Sequence, residues 1–110
     1  MTRKRLKTRA EWEDALRSGC KTIDARWLTD EIGGLKVGDT IRYPGAKAQV
    51  KAIRFYRGFR DLLAHEDWRK IAPEVSGPDE VLPLLENGHR AGATHSGVVA
   101  IELEPLNESA

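Results

Sequence analysis

Hydrophobic and polar positions along the chain repeat with two different periods, which predict helices and strands in one domain. Trp12 and Leu16 lie four residues apart on one face of a predicted helix, and Gly19 ends that pattern. Thr8 and Glu11 have the spacing of a capping box, which predicts where the helix begins. The chain therefore opens with a short amphipathic helix.

After Gly19 the period changes to the two-residue alternation of half-buried strands. The predicted strands cover residues 22–28, 40–43, 48–56 and 97–103. Within 48–56 the alternation slips by one residue near Ala52 or Ile53, which predicts a β-bulge. On strict alternation, Asp24 and Arg26 share one face of the first of these strands.

Helical spacing returns between the third and fourth predicted strands. Phe59 and Leu62 begin one such pattern, and Trp68 and Ile71 form a second short helix or turn. Asp79 is predicted to cap a further helix, which places Pro83 in or near its first turn, and this helix is predicted to end at residues 87–88. The order of elements predicts an α+β domain whose small twisted sheet curls toward a barrel.

Length and charge narrow the class of protein. The 110 residues predict one domain, divided into a basic N-terminal arm (1–9), a folded domain (10–105) and a C-terminal tail (106–110). The formal net charge is +1, so a nucleic-acid surface would have to be a local basic patch. One cysteine and three histidines without ligand spacing predict no metal and no cofactor. With no membrane-length apolar run and no secretory signal, we expect a cytoplasmic protein.

Four stretches of the sequence, in order, resemble the ASCH domain, a small relative of the PUA RNA-binding fold. The opening pattern joins Gly19, Lys21, an acid at Asp24 and Arg26 after a short helix. The other stretches are a Gly-Asp turn into a strand, a strand-to-helix crossing and a final strand, at residues 37–41, 53–63 and 97–103. The signature acid is usually glutamate, and members that hydrolyse acetylcytidine have threonine where this chain has Asp24.

The resemblance implies a PUA-like small β-barrel flanked by two or three helices, with a cleft between barrel and helices. It also implies a role in RNA metabolism with RNA or a modified nucleoside as partner, but the family has no single activity. Three function classes therefore stay open. They are an RNA- or nucleotide-binding domain, a metal-independent hydrolase of single-stranded RNA or acetylcytidine, and a protein-interaction module.

The candidate catalytic residues are Lys21, Asp24 and Glu74. Lys21 could act as a base if its pKa were lowered by burial or by Arg26, and Glu74 resembles a general acid or base of the acetylcytidine-hydrolysing members. Each also has a plain structural interpretation, as a helix-end lysine, a strand ion pair or an exposed loop carboxylate. Because Asp24 would raise the pKa of Lys21, we expect weak or no acetylcytidine hydrolysis.

The candidate nucleic-acid-binding residues combine cations with an aromatic ring for base stacking. They are Arg26, Lys51, Arg54, Tyr56, Arg57, Arg60 and Ser96. The alternative is that Tyr56 packs at the end of the barrel while the arginines are solvated. We expect Lys21→Ala to weaken RNA binding more than Lys7→Ala if the cleft rather than the N-terminus forms the site.

Overall fold

The computed structural model describes residues 3–87 and 97–106. Its strands are β1 (Arg3–Arg5), β2 (Ile23–Trp27), β3 (Thr40–Tyr43), β4 (Ala46–Tyr56) and β5 (Val98–Pro105). Its helices are α1 (Ala10–Ser18), α2 (Asp30–Gly33), α3 (Phe59–His65), α4 (Trp68–Ile71) and α5 (Pro78–Glu86). The α+β class is confirmed. Of these helices, α1, α3 and α5 are longer than one turn, and α2 and α4 are single turns.

The five strands form one sheet in the order β1-β3-β4-β5-β2. β1 runs parallel to β3, and every other neighbouring pair is antiparallel. The sheet curls into a half-barrel, so β1 and β2 are its two end strands. A shift in register between Val50 and Ala52 marks the bulge in β4, close to the predicted position, and helps the long strand to bend.

β5 separates two hydrophobic cores because its side chains point alternately to opposite faces. Val99, Ile101 and Leu103 belong to a strand-lined core that also holds residues of β3 and β4. Val98 and Ala100 belong to a helix-lined core formed with α1, α3, α4 and α5. Each face of the sheet is therefore covered, one by the curl of the strands and the other by helices.

The N-terminal residues are part of the sheet, which differs from the separate basic arm expected for residues 1–9. Arg3–Arg5 pair with β3, and the amide of Leu6 donates to the carbonyl of Arg42 at 3.0 Å. Leu6 is buried in the strand-lined core. The sequence did not predict this strand, because β1 consists of charged residues and the buried Leu6 comes only after its end.

Two predicted helix starts are wrong. α1 begins after Arg9, whose side chain makes no capping hydrogen bond, so Thr8 is not the cap. α5 begins at Pro78 after Gly77, in the first helical position that favours proline. Pro83 therefore lies inside α5 rather than in its first turn, where it removes one helical hydrogen bond.

Candidate functional site

A buried polar network joins β2 to β3 on the face of the strand-lined core. Asp24 lies opposite Ile101 in the sheet and is almost fully buried. Tyr43 donates from its hydroxyl to Asp24 Oδ2 at 2.6 Å, and Arg26 donates from Nε to Asp24 Oδ1 at 3.1 Å. Burial acts to raise the pKa of Asp24, but the charges of Arg26 and Lys21 and the Tyr43 hydrogen bond lower it overall. Asp24 is therefore an ionised carboxylate with its partners supplied by the protein.

Arg26 bridges the two ends of the sheet. Its Nη2 lies 2.9 Å from Asp24 Oδ2 and donates to the carbonyl oxygen of Lys7, just after β1, at 3.0 Å. The side chain is 24% exposed, so the guanidinium reaches the surface while its carboxylate partner stays buried. These contacts use Nε and Nη2 of a guanidinium that carries five N–H donors. Arg26 thus closes the half-barrel and still presents N–H donors.

Lys21 lies just before β2, in the helix-lined core, with no solvent exposure. Its Nζ donates to the carbonyl oxygens of Ile23 at 2.7 Å and Ile71 at 2.5 Å. The same nitrogen lies 4.2 Å from the centre of the Trp12 ring, which is a cation–π distance. Lys21 therefore links the start of β2 to the end of α4.

The electrostatics of Lys21 follow from this enclosure. Burial lowers its pKa to about 8, with Asp24 and Glu74 opposing the change and Arg26 adding to it. Glu74 is exposed, and one of its oxygens accepts a hydrogen bond from Trp12 Nε1 at 2.7 Å. The Trp12 side chain thus contacts both residues. At neutral pH Lys21 is mainly an ammonium ion whose donors point to backbone carbonyls, which does not suit a general base.

A cavity of about 990 Å³ lies along β2, at the open side of the half-barrel. The segment after β1, the helix α2 and the end of α5 bound it. We call it the β2 groove. Its lining cations are Arg5, Lys7, Arg9 and Arg26, and its lining carboxylates are Asp24, Asp30 and Glu31. Leucine and tryptophan side chains supply an apolar wall, so the groove combines positive charge with apolar surface.

Solved structures resemble the chain over almost its whole length. The crystal structure of hypothetical protein PH0355 has a TM-score of 0.81 and 28% identity, covering 96% of this chain and 100% of that one. The solution structure of protein PF0455 from Pyrococcus furiosus has a TM-score of 0.71 and 30% identity, covering 96% and 98%. At this identity and coverage the chain and PF0455 belong to one family.

Two crystal structures of mutant forms of ZmASCH from Zymomonas mobilis share the same fold. They have TM-scores of 0.61 and 0.62 at 15% identity, covering 94% of this chain and 74% and 72% of theirs. This chain has an ASCH-type fold. The predicted resemblance is confirmed, although no family model matches the sequence and no curated protein matches it significantly.

The ASCH-type domain separates the three candidate catalytic residues. Asp24 lines the β2 groove, whereas Lys21 and Glu74 are absent from its lining. Trp12 lies between Lys21 and the groove side, since its buried ring contacts Lys21 and also lines the groove. The groove therefore exposes Arg26, whereas the carboxylate of Asp24 is almost fully buried and Lys21 is absent from the lining.

Arg54 and Tyr56 form a second cluster, centred on Glu66. Arg54 donates from Nε and Nη2 to the two oxygens of Glu66 at 2.6 and 2.9 Å, and from Nη1 to Glu102 at 3.0 Å. Tyr56 donates to Glu66 at 2.5 Å, and its ring stacks on His65. The Glu66 side chain is only 5% exposed, so this cluster ties the residue after α3 to β4. Neither Arg54 nor Tyr56 lines the β2 groove.

The remaining predicted binding residues are scattered over the ASCH-type domain. Lys51 is exposed at the β4 bulge, 4.0 Å from a Glu104 oxygen. Arg57 and Arg60 are exposed beside α3 and lie outside the β2 groove. Ser96 falls outside the described residues. Of the predicted binding residues that the structure describes, Arg26 alone lines the groove.

Two interacting residues escaped sequence analysis, and two cations of the predicted N-terminal arm were expected to be solvated more than to line a site. Tyr43 ends a strand and looked like an ordinary core aromatic, and Glu66 follows a helix with no motif around it. Lys7 and Arg9 line the groove but belong to a charge run that usually indicates a solvated terminus. The signal that could have revealed Lys7 and Arg9 is the buried Leu6 beside them, which indicates that this segment packs on the domain.

Neither a cluster of three metal-ligating side chains nor a membrane-spanning helix occurs in the described ranges 3–87 and 97–106. There, no three His, Cys, Asp or Glu side chains converge as metal ligands would. No helix in those ranges has the length and apolar character needed to cross a bilayer.

Proposed function

We propose that this ASCH-type domain binds single-stranded RNA or a modified nucleotide in the β2 groove. Arg26 carries the proposal, because Asp24 and the Lys7 carbonyl fix its guanidinium through Nε and Nη2 while the side chain, with five N–H donors, stays 24% exposed in the groove lining. A pre-oriented arginine loses little side-chain entropy when it binds an anion, and its planar donors suit phosphate or a base edge.

The groove offers further groups that a nucleotide would use. Lys7 and Arg9 are exposed cations on the side of the groove opposite β2, and they could contact phosphate groups. Trp27 is half-buried in the lining and offers apolar surface to a base. The size of the groove, about 990 Å³, is near the upper end of the range for small-ligand sites and is large enough for a nucleotide.

Binding is favoured over metal-independent hydrolysis by the position of Lys21. A general base must reach the proton that it removes, directly or through one water. Lys21 has no exposure and donates to two carbonyl oxygens, and Glu74 accepts from Trp12 outside the groove. Asp24, with its lowered pKa, has Tyr43 and Arg26 as partners. The arrangement orients donors and does not activate a nucleophile.

A titration with labelled single-stranded RNA tests the proposal. Lys7→Gln removes an exposed groove cation without disturbing the buried network, so we expect affinity to fall at least about five-fold at about 50 mM salt. Arg60→Gln makes the same charge change outside the groove and serves as the control. From the sequence alone, Lys21→Ala was expected to weaken RNA binding more than Lys7→Ala. Because Lys7 lines the groove and Lys21 does not, we now expect the opposite order.

Two results of this titration would contradict the proposal. If wild-type affinity is absent, or does not fall between about 50 and 200 mM salt, phosphate contacts are not its basis. If Lys7→Gln and Arg60→Gln bind RNA equally well, the β2 groove is not the site. Arg26→Gln should weaken binding further, and its unfolding curve is recorded alongside because Asp24 loses its ion-pair partner.

A further inference from the structure

A second concave surface lies on the other side of β1 from the β2 groove. It encloses about 440 Å³ and is lined by Lys4, Arg5, Thr40, Arg42 and Lys47. Four of these five lining residues are cations, and they come from three adjacent strands. We call these four cations the basic row. They stand out because the whole chain has a net charge of only +1.

The sheet register aligns three members of the basic row. Arg5 lies opposite Arg42 across the β1–β3 pair, and Arg42 lies opposite Lys47 across the β3–β4 pair. Like charges placed opposite one another in a sheet repel, and an anion bound across them reduces that repulsion. Neighbouring strands are about 4.8 Å apart, so the row extends roughly 10 Å, which suits a chain of phosphates better than one ion.

The number of N–H donors, rather than the absence of protein partners, is what qualifies the row as an anion site. Arg42 and Lys47 each make an interaction within the protein. An arginine carries five N–H donors and a lysine three, so each side chain can bind more than one acceptor. Arg5 and Arg42 are exposed, and Lys4 and Lys47 are partly exposed.

Arg5 connects the row to the groove, because it lines both cavities. A strand of RNA with one nucleotide in the β2 groove could pass over β1 at Arg5 and continue along Arg42 and Lys47. The cations along this path are Lys7, then Arg5, then the other members of the basic row. Backbone phosphates contribute affinity without sequence selection, so this surface would add strength rather than specificity.

We propose that the basic row binds the backbone phosphates of single-stranded RNA next to the nucleotide held in the β2 groove. The inference rests on the proposed function and extends it to a longer RNA. Its signature is a dependence on RNA length. Groove cations should affect short and long RNA alike, whereas row cations should affect only RNA long enough to pass Arg5.

The test uses two labelled probes, a uridine trinucleotide and an oligouridylate of about twelve nucleotides. The variant Arg42→Gln/Lys47→Gln should weaken the longer probe at least about ten-fold at about 50 mM salt. Its slope of log affinity against log salt should fall by about 1.4, or about 0.7 for each lost phosphate contact. Binding of the trinucleotide should stay unchanged.

The control is Lys51→Gln/Arg60→Gln, which removes two exposed cations outside both cavities. The inference is overturned if this control weakens the longer probe as much as Arg42→Gln/Lys47→Gln does. It is also overturned if Arg42→Gln/Lys47→Gln weakens both probes equally or neither. Unfolding curves of both double variants confirm that the losses come from charge and not from stability.

Lys7→Gln separates failure of the row from failure of the groove. If Lys7→Gln weakens binding of both probes and Arg42→Gln/Lys47→Gln weakens binding of neither, the β2 groove is supported as a binding site and the basic row is not. If Arg42→Gln/Lys47→Gln weakens binding of the longer probe and Lys7→Gln does not, the basic row binds RNA and the β2 groove does not. If neither probe binds the wild-type protein, both proposals are wrong.

Discussion

At the residue scale, the buried charges of this domain are held by groups that the fold itself supplies. Asp24 receives a hydroxyl and a guanidinium, and Lys21 donates to two backbone carbonyls. A buried charge without such partners would cost several kcal/mol, so each network stabilises one arrangement of strands and helices. Arg26 differs, because it is both a partner of Asp24 and a donor at the surface.

The lowered pKa of Lys21 makes the unfolding free energy of the domain depend on pH. Burial lowers its pKa from 10.5 to about 8, so between these values the unfolded chain binds more protons. Its contribution to stability is therefore largest above pH 10.5 and is lost as the pH falls through about 8. Relative to Lys21→Met, wild-type unfolding free energy should rise across this range by up to about 1.4 kcal/mol per pH unit.

Chemical denaturation at several pH values measures this difference. Titration of Tyr43 and other groups is common to both proteins and cancels in the comparison. Lys70→Met, at an exposed lysine close by, should follow the wild-type curve. Parallel curves for wild type and Lys21→Met would show that the pKa of Lys21 is not lowered.

Tyr43→Phe tests the hydrogen bond inside the strand-lined core. The substitution keeps the ring and removes the donor that lies 2.6 Å from Asp24 Oδ2. A hydrogen bond to a charged group contributes about 1.5–3 kcal/mol, and we expect a loss of that size in urea denaturation. Tyr56→Phe should lose less, because Tyr56 is more exposed and Glu66 keeps both Arg54 donors. Equal losses would contradict the burial argument.

At the element scale, turns and element ends determine where side chains meet. Gly97 precedes β5 and has φ +117°, a conformation that residues with side chains rarely adopt. A Cβ there would lie 3.1 Å from the carbonyl oxygen of Tyr56. Because β5 pairs with both β2 and β4, its start must be placed accurately for the sheet to form.

Gly97→Ala should therefore destabilise the domain by about 2 kcal/mol, from backbone strain and close contact. Thermal or urea unfolding measures the loss. Gly33→Ala is the matched control, since Gly33 ends α2 without a positive φ, and a Cβ added there would have no described atom within 4 Å. Gly33→Ala should be neutral or slightly stabilising. An equally neutral Gly97→Ala would remove the strain argument.

At the scale of the whole molecule, the half-barrel depends on both ends of its sheet. At one end of the sheet, β1 pairs with β3, and Leu6 packs in the strand-lined core that also holds Tyr43. The carbonyl oxygen of Lys7 accepts a hydrogen bond from Arg26 of β2, which lies at the opposite end of the strand order. The N-terminal segment therefore stabilises the fold and lines the groove at the same time.

Removing residues 1–6 should destabilise the domain by at least about 3 kcal/mol, because it removes β1 and the buried Leu6. Lys4→Gln/Arg5→Gln keeps the strand and should fold as stably as the wild type while weakening RNA binding. Unfolding curves and RNA titrations of both variants distinguish structure from charge. A truncated protein as stable as the full chain would restore the interpretation of this segment as a separate arm.

The sequence by itself determined the mixed class, most element positions and the pairing of Asp24 with Arg26 on one face. These features follow from local periods and from glycine and proline at element ends, which neighbouring residues encode. It also indicated the bulge in β4, because a slip in alternation is visible along a single strand.

Only the tertiary structure decided which charges line the β2 groove. The strand order β1-β3-β4-β5-β2 brings Tyr43 to Asp24 and Lys7 to Arg26, and no local period contains that order. Packing of α1 and α4 encloses Lys21, which the sequence could not distinguish from a surface lysine. Contacts between distant residues depend on how the sheet curls, so the site appears only when both ends of the sheet meet.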